Sequence, residues 1–504
     1  MKADKKIITA FIILAFILLV LNIVSHAAED SLKKAMEKYE THRYSEGIAL
    51  LKKEIDGRQK DELVLPYFIL GRFYLKEAEL YRTMYETSLM TTNDYLIKLN
   101  SVRTGKKSKY LPYFMGLLYL ETGQAKKGAA SLQQFVNNNS VDTVLKEKAK
   151  LKLGAAYYIS GDRKKAEDIW AEVASTGEDI IAEKGYVYAR LNIKLKDAVE
   201  MAQNSINLSQ KNGNKNHSKK YREITFIYYK NDMSDAALGL MDKIELNEPE
   251  VLDNVEKNKV VRFYDPALLN DMSRIYYYAA GKYFNKVMSL RGREKYEDLI
   301  RFYLSEVNYR LNRYDDAINE INGFLKSNKL DAKYNKKINV LLGACYYKKG
   351  NKKQAIEIWD DLLNKNQQDD GAISALMDAY AELNVDASPL LKKTEGQIAS
   401  KDEKKMKPFY NSLGMLYYSK KDYEKSVQAL ELVRDKANKN KIEANDPVFL
   451  IRLANSYYRL RKYSEALEIF FELGKAYPVV RQIQDTIQGV YSADEKGSGD
   501  VRIY

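Results

Sequence analysis

Cysteine, histidine and proline are scarce in this chain of 504 residues, which has one cysteine, three histidines and eight prolines. The single cysteine, Cys345, has no intramolecular partner for a disulfide, so packing alone must stabilise the fold. The histidines, His26, His42 and His217, match no metal-binding spacing. We therefore expect no metal site and no cofactor. The few prolines and the modest 25 glycines favour long helices joined by short connections.

Long apolar runs are also rare, and the clearest one lies at the N-terminus. Three lysines precede the apolar residues 7–24, and Ser25 and Ala27 then stand in the small-x-small arrangement of a secretory cleavage site. A run of 18 residues suits either a signal peptide or an N-terminal membrane anchor over residues 1–27. In both cases we expect the remainder to be exported, to the periplasm or the outer face of the cytoplasmic membrane.

The net charge of +13 indicates that anions are the preferred partners. Because we expect export, nucleic acid is not a predicted partner. Anionic lipid, anionic wall polymers and acidic proteins remain as alternatives. Hydrophobic residues at 45% and charged residues at 30% are typical of a folded chain.

A pattern of small residues recurs along the chain. Six segments begin with a small residue and carry a second one 12 positions later, at Gly116 and Gly128, Gly154 and Ala166, Ser305 and Ala317, Gly343 and Ala355, Gly414 and Ser426, and Ala454 and Ala466. Large apolar residues follow four and seven positions after each second small residue, on one face of a helix. The pattern predicts antiparallel helical hairpins in which the small residues let two helices approach closely.

These copies resemble the tetratricopeptide repeat. The match includes the first-helix aromatic at Tyr119, Tyr157, Tyr346, Tyr417 and Tyr457, and the terminating Pro478, while Asn308 departs from it. The resemblance implies an all-α fold, a right-handed superhelical solenoid of antiparallel helix pairs. Together with the N-terminal segment, it leads us to expect an exported bacterial protein of this family. It also implies that the first helices line a concave groove.

The repeat is clear in some parts of the chain and degenerate in others, and this difference defines the predicted regions. We predict a signal peptide or anchor at 1–27, an N-terminal repeat array at 28–176, degenerate helical repeats at 177–300 with a flexible basic loop near 204–220, a C-terminal array at 301–491 and a mobile tail at 492–504. Within the first array, residues 93–109 are interpreted as a basic connector.

A stripe of tyrosines lies on the first helices, on the face that lines the groove in the family. The stripe predicts partner-binding residues at Tyr158, Tyr309, Tyr347, Tyr418 and Tyr458. The alternative is that these rings pack against the neighbouring hairpin.

Two polar residues stand beside the stripe where some family members clamp a C-terminal carboxylate. Asn455 and Arg459 are suitably placed, but Ile451 occupies the position of the clamp lysine. Recognition of an acidic C-terminus is therefore not predicted. We expect an aromatic, basic groove that binds envelope proteins or peptides.

Two function classes fit this architecture. The first is a non-catalytic scaffold that holds an envelope complex together, such as a motor, a secretion machine or a wall-associated machine. The second is a wall-active enzyme like the lytic transglycosylases, with the array as its platform. The enzyme would need more than about a hundred residues without the repeat, and we predict no catalytic residues. The scaffold is therefore the preferred prediction.

Overall fold

A computed structural model provides the structure of the chain. It describes residues 26–55, 58–59, 62–101, 109–173, 177–212, 218–241, 244, 250–252, 261–263, 265–327, 332–365, 369–388, 390–391, 406–435 and 437–495. Within these ranges, no helix is both long enough and apolar enough to span a membrane. The predicted signal or anchor segment lies outside the described residues up to residue 25.

Three helices open the described chain. They are α1 (His26–Glu40), α2 (Tyr44–Ile55) and α3 (Val64–Ser101), the last with 38 residues. The prediction of a connector from residue 93 is wrong as far as Ser101. The helix continues because Leu96 is buried and because Tyr95 packs on the last described helix. A Cβ added to Gly489 of that helix would lie 2.7 Å from the Tyr95 ring.

Eight helices form the first array of the structure, which extends past the predicted boundary at residue 176 and is called the N-terminal array from here on. They are α4 (Leu111–Glu121), α5 (Ala125–Val136), α6 (Thr143–Ile159), α7 (Arg163–Glu172), α8 (Glu178–Leu191), α9 (Leu195–Lys211), α10 (Ser218–Lys230) and α11 (Ser234–Met241). Consecutive helices pack in pairs, α4 on α5, α6 on α7, α8 on α9 and α10 on α11.

The predicted basic loop near 204–220 is mostly helical. Helix α9 runs to Lys211 and α10 begins at Ser218. The reason is local pairing of polar groups: the buried Lys220 ammonium donates to Glu178 at 3.0 Å and to the Ser209 hydroxyl at 2.6 Å. Residues 213–217 lie outside the described residues.

A short ribbon and a long helix link the two arrays. Strands β1 (Glu250–Leu252) and β2 (Val261–Phe263) pair antiparallel, with Val251 opposite Arg262. Helix α12 (Ala267–Met288) then packs antiparallel along α3, the most extensive contact between two helices in the described chain. Aromatic pairs hold it there, with Tyr74 against Tyr283 at 5.5 Å and Tyr81 against Tyr276 at 5.1 Å between ring centroids.

The remaining described residues include ten further helices and two 3₁₀ turns. They are the turn Arg293–Lys295, α13 (Glu297–Arg310), α14 (Tyr314–Ser327), α15 (Ala332–Lys348), α16 (Lys352–Lys365), α17 (Asp370–Leu383), α18 (Lys407–Ser419), α19 (Tyr423–Glu431), α20 (Pro447–Arg459), α21 (Tyr463–Ala476), the turn Pro478–Val480 and α22 (Arg481–Glu495).

Helix α22 passes the predicted start of the tail at residue 492. Ile483, Ile487 and Val490 are buried along one face of this helix, which explains why the last helix folds onto the array. The segment predicted as a mobile tail is therefore helical to Glu495, and residues 496–504 lie outside the described residues.

The constant interval of small residues has a direct structural cause. In α6, a Cβ added to Gly154 would lie 2.2 Å from the indole nitrogen of Trp170, which belongs to α7. That indole N–H donates to the Leu151 carbonyl at 3.1 Å. The C-terminal array repeats this geometry, because a Cβ on Gly343 would lie 2.3 Å from the Trp359 indole nitrogen. The predicted all-α superhelical repeat fold is confirmed.

The core does not stop at the ends of the arrays. One cluster of buried apolar residues joins α1–α3, the middle helices and α20–α22. The Tyr477 hydroxyl, just after α21, donates to the His42 carbonyl between α1 and α2. The C-terminal array therefore curls around α3 and returns to the first hairpin.

Candidate functional site

The inner face of the C-terminal array is built from the first helices of its hairpins. Helices α13, α15, α17 and α18 face the N-terminal half of α3 across a cavity of about 1040 Å³, here called the central cavity. Helix α20 instead contacts the C-terminal half of α3 directly. The groove thus has an open part and a part filled by the chain's own helix.

Helix α20 brings two of the predicted residues onto α3. The Tyr458 hydroxyl donates to the Asp94 carboxylate at 3.1 Å, and Arg459 lies 3.6 Å from the same carboxylate. Tyr458 is only 4% exposed. The described contact of both side chains is therefore within the chain.

Two more predicted residues meet the same helix. The Asn455 amide donates to the Thr87 hydroxyl at 2.8 Å, and the Tyr418 hydroxyl contacts the Met90 sulfur at 3.3 Å. The structure therefore gathers four of the predicted residues around residues 87–94 of α3. In this arrangement α3 fills this part of the groove.

Tyr309 lies on the wall of the central cavity. Its hydroxyl donates to the Glu382 carboxylate at 3.0 Å, and Arg310 donates to the same carboxylate at 2.7 Å. Burial opposes ionisation of Glu382, but Arg310 and Arg82 outweigh it and hold the pKa of this carboxyl far below its usual range. Glu382 is therefore a fixed negative charge that ties α13 to α17.

Tyr158 and Tyr347 lie apart from the others. Each packs on the tryptophan of its own hairpin, with ring centroids 6.0 Å apart, Tyr158 on Trp170 and Tyr347 on Trp359. Arg163 and Lys352 lie over the outer faces of these rings. The seven predicted residues thus do not form one continuous stripe.

The lining of the central cavity is not the basic surface expected from the sequence. Acidic and basic side chains both line it, together with Tyr39, Phe302, Tyr303, Tyr334 and Phe409. The acidic members include Glu306 and Asp378, which the sequence analysis did not single out. The net charge of the whole chain carries no information about one concave surface, so composition could not reveal them.

Helix α3 is the other element that sequence reasoning missed. Its face toward the array includes buried Thr83, Thr87 and Thr91 at intervals of four residues, and Thr87 and Thr91 each donate to the carbonyl of the threonine four residues earlier. A stripe of threonines at helical spacing was the available signal, because such hydroxyls can be buried when they bond to their own helix.

Two kinds of potentially reactive group are informative in the described chain, the cysteine thiol and metal-binding side chains. Burial raises the pKa of the Cys345 thiol to about 12, which agrees with its prediction as a buried apolar residue. Among the described residues no group of histidine, cysteine and carboxylate side chains is placed to hold a metal ion.

The comparisons with known proteins identify the repeat. Residues 340–377 match the tetratricopeptide repeat family model, a range that spans the second half of α15, all of α16 and the first half of α17. This match confirms the resemblance to the tetratricopeptide repeat over these residues. No curated protein matches the sequence significantly.

Solved structures similar to this chain include the following three. Yeast Tom70 is 13% identical with a TM-score of 0.33, over 93% of this chain and 96% of that chain. The Cut9–Hcn1 hetero-tetramer of the APC/C is 15% identical with a TM-score of 0.28, over 94% and 92%. The tetratricopeptide domain of P58(IPK) is 11% identical with a TM-score of 0.19, over 78% and 99%.

Proposed function

We propose that this chain is a non-catalytic scaffold that binds a segment of another envelope protein in the central cavity. The observation that carries the proposal is the size and lining of that cavity, about 1040 Å³ between α3 and four first helices. A concave surface with aromatic and charged side chains suits a polypeptide segment. The position of α3 supports the proposal too, because α3 is itself a polypeptide segment that Tyr458 and Asn455 hold in the neighbouring part of the groove.

The location is part of the proposal. The lysines and apolar residues 7–24 support export to the periplasm or to the outer face of the cytoplasmic membrane. There, the net charge of +13 favours acidic proteins, anionic lipid or wall polymers at the outer surface of the array. Protease treatment of cells with a permeabilised outer layer, with sequencing of the mature N-terminus, tests this location.

The helices in the middle of the chain favour the scaffold over the wall-active enzyme. A separate catalytic domain would need a long stretch without helical hairpins. The described part of 177–300 is instead occupied by α8 to α12 and the short ribbon, and α8 pairs with α9 as α10 pairs with α11.

Site-specific photo-cross-linking tests the binding proposal. A photoreactive residue in place of Ala375, on the cavity wall, should form an adduct with one envelope protein in cells. The matched control replaces Lys353, whose side chain is 93% exposed on α16, the second helix of the preceding hairpin. The same adducts at both positions, or none at Ala375 in a folded chain, would contradict the proposal.

A further inference from the structure

We propose that the first hairpin, formed by α1 and α2, is a pH-dependent gate on the central cavity, closed while Glu77 carries a proton and opened when Glu77 loses it. This inference rests on the proposed function and concerns the regulation of the same cavity. It follows from the contacts that hold the hairpin and from the surroundings of one buried carboxyl group.

The first hairpin forms part of the cavity wall. Tyr39 of α1 lines the cavity together with Arg72 of α3. The Arg72 guanidinium group donates to the Tyr39 hydroxyl at 3.1 Å and lies 4.7 Å from the centroid of its ring. A movement of α1 away from α3 would therefore widen the cavity at this wall.

Polar contacts hold the turn of the first hairpin. The Tyr477 hydroxyl, just after α21, donates to the His42 carbonyl in the turn. The Ser45 hydroxyl, at the start of α2, donates to the Glu77 carboxyl of α3 at 2.5 Å. Burial and then the nearby Glu77 raise the pKa of Tyr477. The first hairpin, α3 and the C-terminal array therefore meet at one junction.

The surroundings of Glu77 favour its protonated form. Glu77 is 1% exposed, and its Oε2 atom is buried without a hydrogen-bond partner in the described structure. The neighbouring Lys76 pairs with Glu79 at 2.7 Å. Burial raises the pKa of Glu77 to about 7, against the hydrogen bonds from Ser45. Ionisation therefore leaves a poorly solvated charge between α2 and α3, and opening of the hairpin gives that charge access to water.

Only titratable groups can make this closure depend on pH, because the apolar packing of Phe73 against Gly47 between α2 and α3 carries no charge. The titratable groups at the junction are His42 and Tyr44 of the first hairpin, Lys76, Glu77, Glu79 and Tyr81 of α3, Tyr276 of α12, and Glu443, Asp446 and Tyr477 of the C-terminal array. We expect the response near neutral pH to come from Glu77 and His42.

Four of these groups keep their charge near neutral pH. Burial is the largest cause that raises the pKa of the Tyr44, Tyr81 and Tyr477 hydroxyls, so they stay neutral. Burial opposes the charge of Lys76, but Glu79 and further neighbours outweigh burial and raise its pKa. The ammonium group of Lys76 therefore stays positive.

His42 acts in the opposite direction to Glu77. Burial, together with Lys76, lowers the pKa of its imidazole from 6.5, against the opposing charges of Asp446 and Glu443. The neutral ring therefore stabilises the closed hairpin, and this contribution is lost as the pH falls. For this reason the response of Glu77 is measured against a variant that keeps His42.

The expected size of the Glu77 response follows from its two pKa values, about 7 in the closed hairpin and 4.5 when water reaches the carboxyl. Because the closed form binds the proton more tightly, this contribution to closure is present at low pH and is lost as the pH rises from about 4.5 to about 7. Through Glu77 alone, the equilibrium constant for opening should rise about tenfold between pH 6 and pH 8.

Hydrogen exchange of the purified chain tests the gate. The protection of the α1 and α2 amides is measured at pH 6 and pH 8, corrected for the intrinsic dependence of exchange on pH. Between these two values, protection in the parent chain should fall about tenfold relative to Glu77→Gln. Glu86→Gln is the matched control and should behave as the parent, because Glu86 lies on the same helix with a side chain that is 55% exposed.

The α12 amides supply the reference for unfolding of the whole chain. They should be better protected than those of the first hairpin at both pH values, since the hairpin opens on its own. Equal protection of α12 and the first hairpin overturns the inference, because the hairpin would then open only when the chain unfolds. A pH response that is retained in Glu77→Gln overturns it as well.

Tyr477→Phe tests the contact between the turn and the C-terminal array. The variant removes one hydrogen bond, so the first hairpin should lose about fivefold in protection at both pH values while it keeps the pH response. Unchanged protection of the hairpin in Tyr477→Phe would show that this contact does not hold it closed, which contradicts the gate.

Thiol labelling tests access to the cavity itself. The chain carries Ala375→Cys, with Cys345→Ser to remove the native thiol, and reacts with a bulky polymer-linked maleimide. Its rate, divided by that of a Lys353→Cys chain at the same pH, should rise from pH 6 to pH 8 and should not rise when Glu77→Gln is added. A ratio that does not change with pH overturns the gate. Neither measurement uses a partner, so failure of the gate is distinguished from failure of the scaffold proposal.

Discussion

The two arrays share a hairpin and differ in what lies on their inner faces. In the N-terminal array, Arg190 closes the inner face by pairing with Glu121 at 2.7 Å and with Asp271 at 3.2 Å, beside a cavity of about 140 Å³. In the C-terminal array the inner face encloses α3 and a cavity of about 1040 Å³. The larger of these two cavities therefore lies on the inner face of the C-terminal array.

The comparison separates two sets of residues: those that hold each hairpin together and those that line the inner faces of the arrays. The glycine–tryptophan contact is the same in both arrays, with indole nitrogens 2.2 Å and 2.3 Å from the added Cβ positions of Gly154 and Gly343. The inner faces depend on residues that the repeat pattern leaves free, such as Arg190 in one array and Glu306 in the other. Four predictions test this division.

The largest predicted loss of stability should be the same in both arrays. Trp170→Ala and Trp359→Ala should each destabilise their own hairpin by about 3–5 kcal/mol, since each removes a fully buried aromatic side chain. Hydrogen exchange of α6–α7 and α15–α16, read separately, measures the two losses. Lys353→Ala is the exposed control and should cost less than about 0.5 kcal/mol. A large loss in one array alone would show that the hairpins are not equivalent.

The second effect, a dependence of stability on pH, should arise where α2 packs on α3. Glu77 of α3 is buried and accepts from the Ser45 hydroxyl at 2.5 Å, and burial raises its pKa to about 7. Because the folded pKa lies above the unfolded one, the proton bound to Glu77 stabilises the fold at low pH. This contribution, up to about 3 kcal/mol, is lost as the pH rises from about 4.5 to about 7.

Glu77→Gln removes the titrating group while keeping its size. Unfolding free energy measured between pH 4.5 and pH 8 should therefore vary less with pH in this variant than in the parent chain. Glu465→Gln, on α21, serves as a comparison, and we expect it to retain the parent slope. An unchanged slope in Glu77→Gln would refute the assignment.

The third effect concerns the contact of α20 with α3. A double-mutant cycle of Tyr458→Phe and Asp94→Asn should give a coupling free energy of about 1 kcal/mol, because the two side chains share one hydrogen bond. Tyr347→Phe should cost less than about 0.5 kcal/mol, because this ring packs on Trp359 through its face. Urea denaturation measures the free energy of unfolding of all these variants. If the losses from Tyr458→Phe and Asp94→Asn simply add in the double variant, the contact is not supported.

The smallest predicted effect is a gain in stability. Arg461 connects α20 and α21 with a left-handed backbone at φ 61°, whereas the matching turn of the N-terminal array has Gly161 at φ 96°. Glycine adopts this region without the Cβ clash, so Arg461→Gly should stabilise the chain by up to about 1 kcal/mol. A melting temperature below that of the parent would show that the Arg461 side chain contributes more than its backbone costs.

The hairpins could be predicted from the sequence because their contacts are close along the chain. The small residues are 12 positions apart, and the indole of Trp359 bonds to a carbonyl 19 residues earlier. Local spacing of this kind is visible in one sequence. The burial of Cys345 followed from the same periodicity.

The closure on α3 could not be predicted in this way. The bond between Thr87 and Asn455 joins residues 368 positions apart, and neither residue type specifies the other. Residues 93–101 were interpreted as a connector because their lysine and arginine neighbours resemble a loop, yet packing against α22 keeps them helical. For the same reason, the contact of Tyr458 with Asp94 was not predicted, and the role of Tyr458 in binding a partner stays a prediction.

Chemical cross-linking of Thr87 to Asn455 tests the central claim most directly. The chain carries Thr87→Cys and Asn455→Cys, with Cys345→Ser to remove the native thiol, and is treated with a short bis-maleimide before peptide mapping. A second chain, with Thr87→Cys and Lys353→Cys, controls for random encounters. The account predicts an efficient cross-link within one chain for the first pair and little for the second. Equal yields for the two pairs, or cross-links only between separate chains, would contradict the seating of α3 in the groove.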